Sequence, residues 1–538
     1  MKPGAALALA AMLAACPLLP ACGPATDDGA ARELRRGNGS EPDSIDPQLA
    51  RMEAAMTILR DCYEGLVSMA PDGTPVVGAA ESWTVSEDGR RYTFRIREAA
   101  RWSNGERLVA EDFAAAWRRL VDPATASQYA LMLEPVANAA DIVAGRKPVT
   151  SLGVVAPDDA TLVVDLAEPS PYFIAMLSHP STFPVHRPTL AANPEDFARP
   201  GVAVTNGAFT PAEWAIGSHM RATRNARYWN DPATKLDAVR YVHVADPTTE
   251  LTRFRAGDLD VTYTVPPGEV ARLEKTLPGQ LRIAPTVGVY YYGFALDLPP
   301  FRHARELRQA LAMAVDREVL VDQVLGDGER PAYGWVPPGI AGHVPQQFPW
   351  ATLDTARRIA QAKRLYAAAG YSAANPLEVE LRTSKSPLHD RIALAVTAMW
   401  KEHLGAEVSL RSEDFRVLKA AIDAREAPLF RGSWIGDYND AYSFLQVLKG
   451  GFGINLPRYA SDPYDVALAM AATAGKDGRA SWLAAAERQL LEDVPLVPLY
   501  FYVSKHLVAP RVEGWYDNVM NVTYSKDLSL ARSGEPKP

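Results

Sequence analysis

Residues 431–440 are the stretch of the chain whose residue types could most readily bind a ligand. They read Arg-Gly-Ser-Trp-Ile-Gly-Asp-Tyr-Asn-Asp and place the aromatic residues Trp434 and Tyr438 around the acid Asp437. Glycines let a backbone approach a ligand, aromatic rings form rigid walls, and a carboxylate removed from water requires a cationic partner. The stretch therefore predicts a site for a small polar ligand with an ammonium group. The structural alternative is that Asp437 caps a helix starting near Tyr442 and that Trp434 is core.

Other catalytic or metal-binding motifs are absent from the sequence, which contains no GxSxG, HExxH, CxxC or Walker pattern. The nine histidines, of which His179 and His186 are the closest pair, fit no usual zinc spacing. A net charge of −8 gives no electrostatic reason to expect nucleic acid as a partner. We therefore predict a protein without a metal or cofactor. An enzyme, for example an envelope peptide hydrolase, is the less favoured class because no nucleophile and base stand out.

The elements that must position residues 431–440 are predicted from hydrophobic periodicity. Predicted strands lie at residues 92–96, 161–166, 240–244, 287–296, 377–382 and 407–411, with a strand pair over 494–510. Predicted helices lie at residues 53–65, 111–120, 307–324 and 388–399. The helix between strands 377–382 and 407–411 indicates a β-α-β unit. The fold class is therefore mixed α/β, with more than one lobe, because 538 residues exceed the size of a single core.

Residues 1–22 are typical of an export signal, since a lysine precedes a short alanine- and leucine-rich run and small residues precede a cysteine. The segments that end at Cys16 and Cys22 both resemble the lipobox of bacterial lipoproteins, so either cysteine would carry the lipid. A secretory peptide without lipid is the alternative. Residues 23–36 would form a flexible tether, and the rest of the chain is expected in the periplasm or cell envelope. The third cysteine, Cys62, is expected to be a small buried residue.

Short segments along most of the chain resemble the extracellular solute-binding proteins of family 5, the periplasmic receptors of peptide ABC transporters. The resemblance is greatest to the oligopeptide-binding branch. The matching segments are Gly39-Ser40-Glu41, Asp46-Pro47, Tyr63-Glu64-Gly65-Leu66, Ala80-Glu81-Ser82-Trp83, Trp102-Ser103-Asn104-Gly105, Ala110-Glu111-Asp112-Phe113, Asp122-Pro123, Tyr228-Trp229, Arg255-Ala256-Gly257-Asp258, Tyr290-Tyr291-Tyr292, Ala314-Val315-Asp316-Arg317 and Trp434-Ile435-Gly436-Asp437-Tyr438-Asn439.

This resemblance implies a two-lobed, hinged periplasmic-binding-protein fold, similar to type II, in which lobe I is discontinuous and carries an extra domain. The chain would cross between the lobes near residues 290–294 and 495–502. The implied division is 37–64, 185–289 and 495–538 for lobe I, 65–184 for the inserted extra domain and 290–494 for lobe II.

The resemblance also implies roles for individual residues. It places Asp437 where the family's acid pairs with the α-ammonium of an extended peptide, and Arg431 and His389 where peptide carboxylates are met. Aromatic positions that line the site correspond to Tyr129, Trp434 and Tyr502, and Tyr438 follows the acid in the same motif. The chain departs from the family at Arg51, where an acid would stand, so the preferred peptide length and charge stay open.

The function implied is that of a monomeric receptor, not an enzyme. It would capture short peptides and deliver them to the permease and ATPase subunits of an ABC importer. The alternative within the family is a receptor for dipeptides, nickel chelates, opines or another small solute.

Overall fold

A computed structural model describes residues 32–451 and 454–531 of the chain. The export signal, both candidate lipid-bearing cysteines and most of the predicted tether lie outside these residues. In the described ranges, no helix combines the length and apolar character needed to cross a membrane. The strands are β1 (Glu33–Gly37), β2 (Val67–Met69), β3 (Pro75–Val77), β4 (Ala80–Val85), β5 (Arg91–Ile96), β6 (Val154–Asp158), β7 (Thr161–Asp165), β8 (Phe209–Ala215), β9 (His219–Arg224), β10 (Ala238–Val242), β11 (Leu281–Phe294), β12 (Arg330–Pro331), β13 (Glu378–Ser384), β14 (Glu407–Glu413), β15 (Leu429–Ile435), β16 (Leu496–Leu507), β17 (Val512–Glu513) and β18 (Ser529–Leu530). The helices are α1 (Glu53–Cys62), α2 (Ala110–Val121), α3 (Ala139–Val143), α4 (Phe173–Met176), α5 (Arg187–Ala192), α6 (Pro247–Arg255), α7 (Val270–Thr276), α8 (Arg305–Met313), α9 (Arg317–Val319), α10 (Thr355–Ala368), α11 (Pro387–Leu404), α12 (Phe415–Asp423), α13 (Tyr442–Leu445), α14 (Asp462–Thr473) and α15 (Lys476–Asp493).

This secondary structure confirms the mixed α/β prediction, and three individual predictions need correction. Residues 33–36, predicted as the end of a flexible tether, lie instead in β1, where they pair with β10. The strand pair predicted over 494–510 is wrong, because β16 is one continuous strand. It accommodates Pro498 at a shift in its pairing with β11, where a residue without an N–H disturbs the ladder least. The single helix predicted over 307–324 is also wrong, since α8 ends at Met313. A new turn begins where the carboxylate of Asp316 accepts the backbone N–H of Val319 at 3.1 Å.

The first sheet is four-stranded, in the order β1-β10-β9-β8, and is assembled from distant parts of the chain. Strand β1 pairs in parallel with β10. The buried carboxylate of Asp260 then accepts hydrogen bonds from Arg35 of β1 at 2.9 Å and from Arg511 at 2.7 Å. These ion pairs join the start, the middle and the end of the described chain.

A second four-stranded sheet, in the antiparallel order β4-β5-β7-β6, lies between β1 and β10 in sequence. Helix α2 covers it through the buried side chains of Phe113, Trp117 and Leu120, which follow the predicted helical spacing. The two four-stranded sheets share one hydrophobic core, to which Leu34 and Tyr241 of the first sheet and Phe94 of the second contribute.

The third sheet is six-stranded, in the order β12-β16-β11-β15-β13-β14. Strands β13 and β14 run parallel and are connected through α11, which confirms the predicted β-α-β unit. The predicted boundary after residue 494 falls just before β16, whose first half belongs to this sheet, and the division into lobes stays a prediction.

The antiparallel pair β11 and β16 extends beyond the six-stranded sheet toward the first sheet. At one end, Leu281 and Leu507 pack in a small core with Val242 of β10. At the other end, Tyr290 and Tyr500 pack in the core of the six-stranded sheet. The two long strands therefore connect the bodies built around these sheets.

Candidate ligand-binding site

The turn that follows β15 holds Asp437 in place through its neighbours. The indole N–H of Trp434 donates to the backbone oxygen of Ser443 at 2.8 Å, and the backbone N–H of Asp437 donates to the Ser443 hydroxyl at 3.1 Å. The N-cap residue of the following helix α13 is Ala441, and a different acid, Asp440, accepts the backbone N–H of its first residue, Tyr442, at 2.8 Å. Asp440 also pairs with Arg479 at 2.7 Å. The structural alternative, in which Asp437 is the helix cap, is therefore wrong.

A cavity of about 240 Å³ opens beside this turn. Trp434 of β15 and the following Asp437 and Tyr438 form one part of its wall. Tyr129 and Tyr172, from the segment that contains the second sheet, form another part. Four of the seven residues predicted for the site thus line one cavity between two parts of the chain.

The carboxylate of Asp437 is exposed to solvent in the structure, whereas the sequence interpretation expected it to be removed from water. The walls of the cavity still displace much of the surrounding bulk water, and this desolvation raises the pKa of Asp437 to about 6. Within the described residues, no cationic side chain forms an ion pair with it. Asp437 is therefore in contact with water, but the cavity walls leave its carboxylate with less water around it than a fully exposed acid has. A cation bound beside it would stabilise its charged form.

The other predicted residues form a second group, around Tyr290 of β11. The guanidinium carbon of Arg431 lies 4.7 Å from the centre of the Tyr290 ring, and its Nη2 is 3.5 Å from the Tyr502 hydroxyl. The imidazole Nδ1 of His389 lies 3.4 Å from the Tyr290 hydroxyl. Burial, and then the nearby charge of Arg431, lower the pKa of His389 to about 4. In this group Arg431 is therefore a permanent cation, and the side chains around it, His389 and the two tyrosines, are neutral.

Strand β15 connects the two groups and has one open edge. Along one side it pairs with β11 over its whole length, from Leu429 to Ile435. On the other side only Leu429 and Phe430 pair with β13, because the two strands then diverge. In the described part of the chain, residues 431–435 have no second strand beside them. Their main-chain groups are the kind that an extended ligand pairs with when it adds a strand to a sheet.

A second cavity, of about 220 Å³, lies on the other side of Trp434 and is mainly apolar. Its walls include Tyr291 and Trp335 of the core and Phe415 and Leu418 of α12. Arg431 and Trp434 of β15 also line it, and these are the residues of this cavity that the sequence interpretation predicted for a site. The remaining lining residues come from separate segments with ordinary core patterns, so the sequence did not indicate the cavity.

Tyr172 is a further residue that sequence reasoning missed. Its ring stacks on Tyr442 with centroids 4.4 Å apart and on Tyr438 at 5.7 Å. Beside this stack, the side-chain N–H of Asn439 donates to the backbone oxygen of Gly73 at 2.8 Å. Nothing in the local sequence around Tyr172 indicates this contact between distant segments.

Arg51, the departure noted from the sequence, lies on the surface of the chain. It pairs with Asp43 at 3.1 Å. Its charge is therefore already balanced within the protein.

Comparisons with known proteins agree with this architecture. The family of bacterial extracellular solute-binding proteins, family 5 Middle, matches residues 74–455. The periplasmic oligopeptide-binding protein OppA of Escherichia coli is 36% identical over 507 residues, covering 93% of this chain and 92% of that protein. The probable deoxycholate-binding periplasmic protein YgiS of Escherichia coli is 38% identical over 528 residues, covering 97% of this chain and 98% of that protein.

Among solved structures, the unliganded open form of the periplasmic murein tripeptide binding protein MppA superposes with a TM-score of 0.85 at 33% identity. The match covers 93% of this chain and 98% of that chain. The chain belongs to the bacterial extracellular solute-binding proteins of family 5 and has their two-lobed, mixed α/β fold.

Proposed function

We propose that the protein is the substrate-binding receptor of an ABC importer, which captures short peptides between its two lobes and delivers them to a membrane permease and its ATPase. The observation that carries the proposal is the pair of opposite charges at the two ends of the open edge of β15. Its open edge lies between an acid without a cationic partner, Asp437, and a permanent cation, Arg431. A zwitterionic peptide has the complementary arrangement, with an ammonium group at one end and a carboxylate at the other.

The spacing along β15 sets an upper limit on the length of such a peptide. Six positions separate Arg431 from Asp437, so their Cα atoms are at most about 20 Å apart, and an extended peptide of about six residues covers that distance. Side chains that extend from these two positions to the ends of a bound peptide would shorten the span. We therefore expect peptides of about three to five residues to engage both ends.

The decisive experiment measures peptide binding by calorimetry in the wild type and in Asp437→Asn. Because a charged hydrogen bond contributes about 1.5–3 kcal/mol, the substitution should weaken binding about 10- to 100-fold. N-acetylation of the peptide should weaken binding to the wild type similarly and have little further effect on the variant. Asp258→Asn, which changes an exposed acid that lines neither cavity, is the matched control. Equal affinity of the wild type for free and acetylated peptides would contradict the proposed role of Asp437.

A second candidate ligand is an amphipathic carboxylate, the class to which deoxycholate belongs. The apolar cavity beside Trp434 favours it, because Tyr291, Trp335 and Phe415 offer a wall for a large apolar skeleton. A relative that is 38% identical also carries deoxycholate in its name. Calorimetric titration with deoxycholate distinguishes the two ligands. A carboxylate ligand has no ammonium, so Asp437→Asn should not weaken its binding, whereas it should weaken peptide binding.

The proposal includes a receptor without enzymatic activity, present in the periplasm or cell envelope as a monomer. A lipid at Cys16 or Cys22 would anchor it to the membrane. Mass spectrometry of the intact protein from a membrane fraction would detect the lipid and identify the cysteine. Incubation with a peptide mixture would distinguish a receptor, which retains intact peptides, from a hydrolase, which shortens them over time.

A further inference from the structure

The cavity beside Asp437 has a second charged residue in its wall, and it is also an acid. Glu134 lies directly after a short turn formed by residues 130–133, in a different segment of the chain from Asp437. Glu134 is exposed. Among the lining residues that the structure describes, Asp437 and Glu134 are the charged ones, and no lysine or arginine accompanies them.

Glu53 and Asp43, whose charges act on Tyr129 of the cavity wall, differ from these two acids because they have cationic partners. Glu53 pairs with Arg60 at 2.6 Å, and Asp43 pairs with Arg51 at 3.1 Å. In the described ranges, neither Asp437 nor Glu134 forms an ion pair. The cavity therefore keeps two uncompensated negative charges, and a ligand with a single ammonium group balances only one of them.

The uncharged walls of the cavity suit a long cationic side chain. Tyr129 and Trp434 present aromatic rings, whose faces attract cations, and Met132 and Met176 present flexible thioethers. A lysine or arginine side chain lays its alkyl part along such surfaces and keeps its charged end at a polar group. The end of the cavity at Glu134 provides that polar group.

We propose that this cavity selects peptides whose first residue is basic, with Asp437 binding the α-ammonium and Glu134 the cationic end of the first side chain. The inference rests on the proposed function, because it requires the peptide amino terminus to lie at Asp437. The first side chain then starts from the atom next to that ammonium and extends into the same cavity. An acidic first side chain would meet two like charges and bind more weakly.

The test compares tetrapeptides that differ only in their first residue, which is lysine, norleucine or glutamate, followed by three alanines. An ion pair with an exposed acid changes binding several-fold, so we expect the wild type to prefer lysine to norleucine by about fivefold. Glutamate should bind more weakly than norleucine. Glu134→Gln should bring the lysine-to-norleucine ratio close to one. Glu98→Gln, which changes an exposed acid outside the cavity lining, should keep the wild-type ratio.

The outcomes separate this inference from the proposed function. If all three peptides bind with equal affinity and N-acetylation still weakens them, the selection by Glu134 is wrong and the peptide receptor stands. A wild-type preference for lysine that persists in Glu134→Gln also overturns the role of Glu134. If none of the peptides binds, or if acetylation has no effect, both the proposed function and this inference are wrong.

Discussion

Peptide affinity should depend on pH through the ionisation of Asp437. Desolvation raises the pKa of this carboxyl to about 6 in the free protein, and a bound α-ammonium would lower the pKa in the complex. Affinity is therefore close to its full value at about pH 7, where most of the carboxyl is charged, and is lost as the pH falls through about 6. At about pH 5 roughly one tenth of the free protein carries the charged carboxylate, so the apparent Kd should be about tenfold higher than at pH 7.

The peptide amino group limits affinity on the alkaline side. Its ordinary pKa of about 7.7–8.0 means that it loses its charge above about pH 8, so that affinity should pass through a maximum near pH 7. His389 does not cause the loss of affinity at low pH, the acid limb of the pH profile. Its pKa is lowered to about 4, so its imidazole is neutral over this range. An N-acetylated peptide should show no alkaline limb.

Isothermal titration calorimetry in matched buffers, with circular dichroism to confirm that the protein stays folded, measures this dependence. Asp437→Asn should remove the acid limb and leave the alkaline limb in place. A Kd for the wild type that changes by less than about twofold between pH 5 and pH 7 would refute the argument that Asp437 must be charged to bind the ligand.

Three further predictions concern other parts of the structure. Arg431→Ala should weaken binding of peptides with a free carboxyl terminus by about tenfold and should not affect amidated peptides, as calorimetry would show. Glu487, which is fully buried, accepts hydrogen bonds from three backbone N–H groups and a histidine, so Glu487→Ala should lower the free energy of unfolding in urea by about 3–5 kcal/mol. Glu492→Ala, at an exposed site, should change it by less than about 0.5 kcal/mol. Gly207→Ala would place a Cβ 2.5 Å from a backbone carbonyl carbon and should cost about 1–3 kcal/mol, whereas Gly475→Ala meets no atom within 4 Å and should cost little. Equal unfolding midpoints within either pair would contradict the packing argument.

Much of the fold could be predicted from local sequence patterns. The spacing of Phe113, Trp117 and Leu120 predicts α2, and the periodicity on either side of residues 388–399 predicts the parallel unit of β13, α11 and β14. The sequence predicts two strands in place of β16 because prolines are typical of turns, and only the pairing with β11 shows that a ladder shift accommodates Pro498.

The candidate site was predictable only in part. The local sequence of residues 431–440 predicts a ligand site because an acid, an arginine and aromatic residues lie close together in it. The positions of Tyr129 and His389 came from the family resemblance, and no local pattern indicates them. Glu134 and Tyr172 could not be identified at all, because their importance depends on contacts between segments that lie far apart in the chain. The exposure of Asp437 is likewise determined by the shape of the cavity beside it, and its sequence neighbours do not indicate it.

The long pair of β11 and β16 has a consequence for the motion that would enclose a ligand. A bend between the lobes has to deform a hydrogen-bonded two-stranded ribbon, because these strands, of 14 and 12 residues, pair with each other in both cores. Their ladder is interrupted between Pro285 and Val289, and at that interruption fewer main-chain bonds resist torsion. A ribbon of this kind stores elastic energy when it is twisted, so the attraction of a ligand for both lobes would work against a restoring force that reopens the protein once the ligand has left.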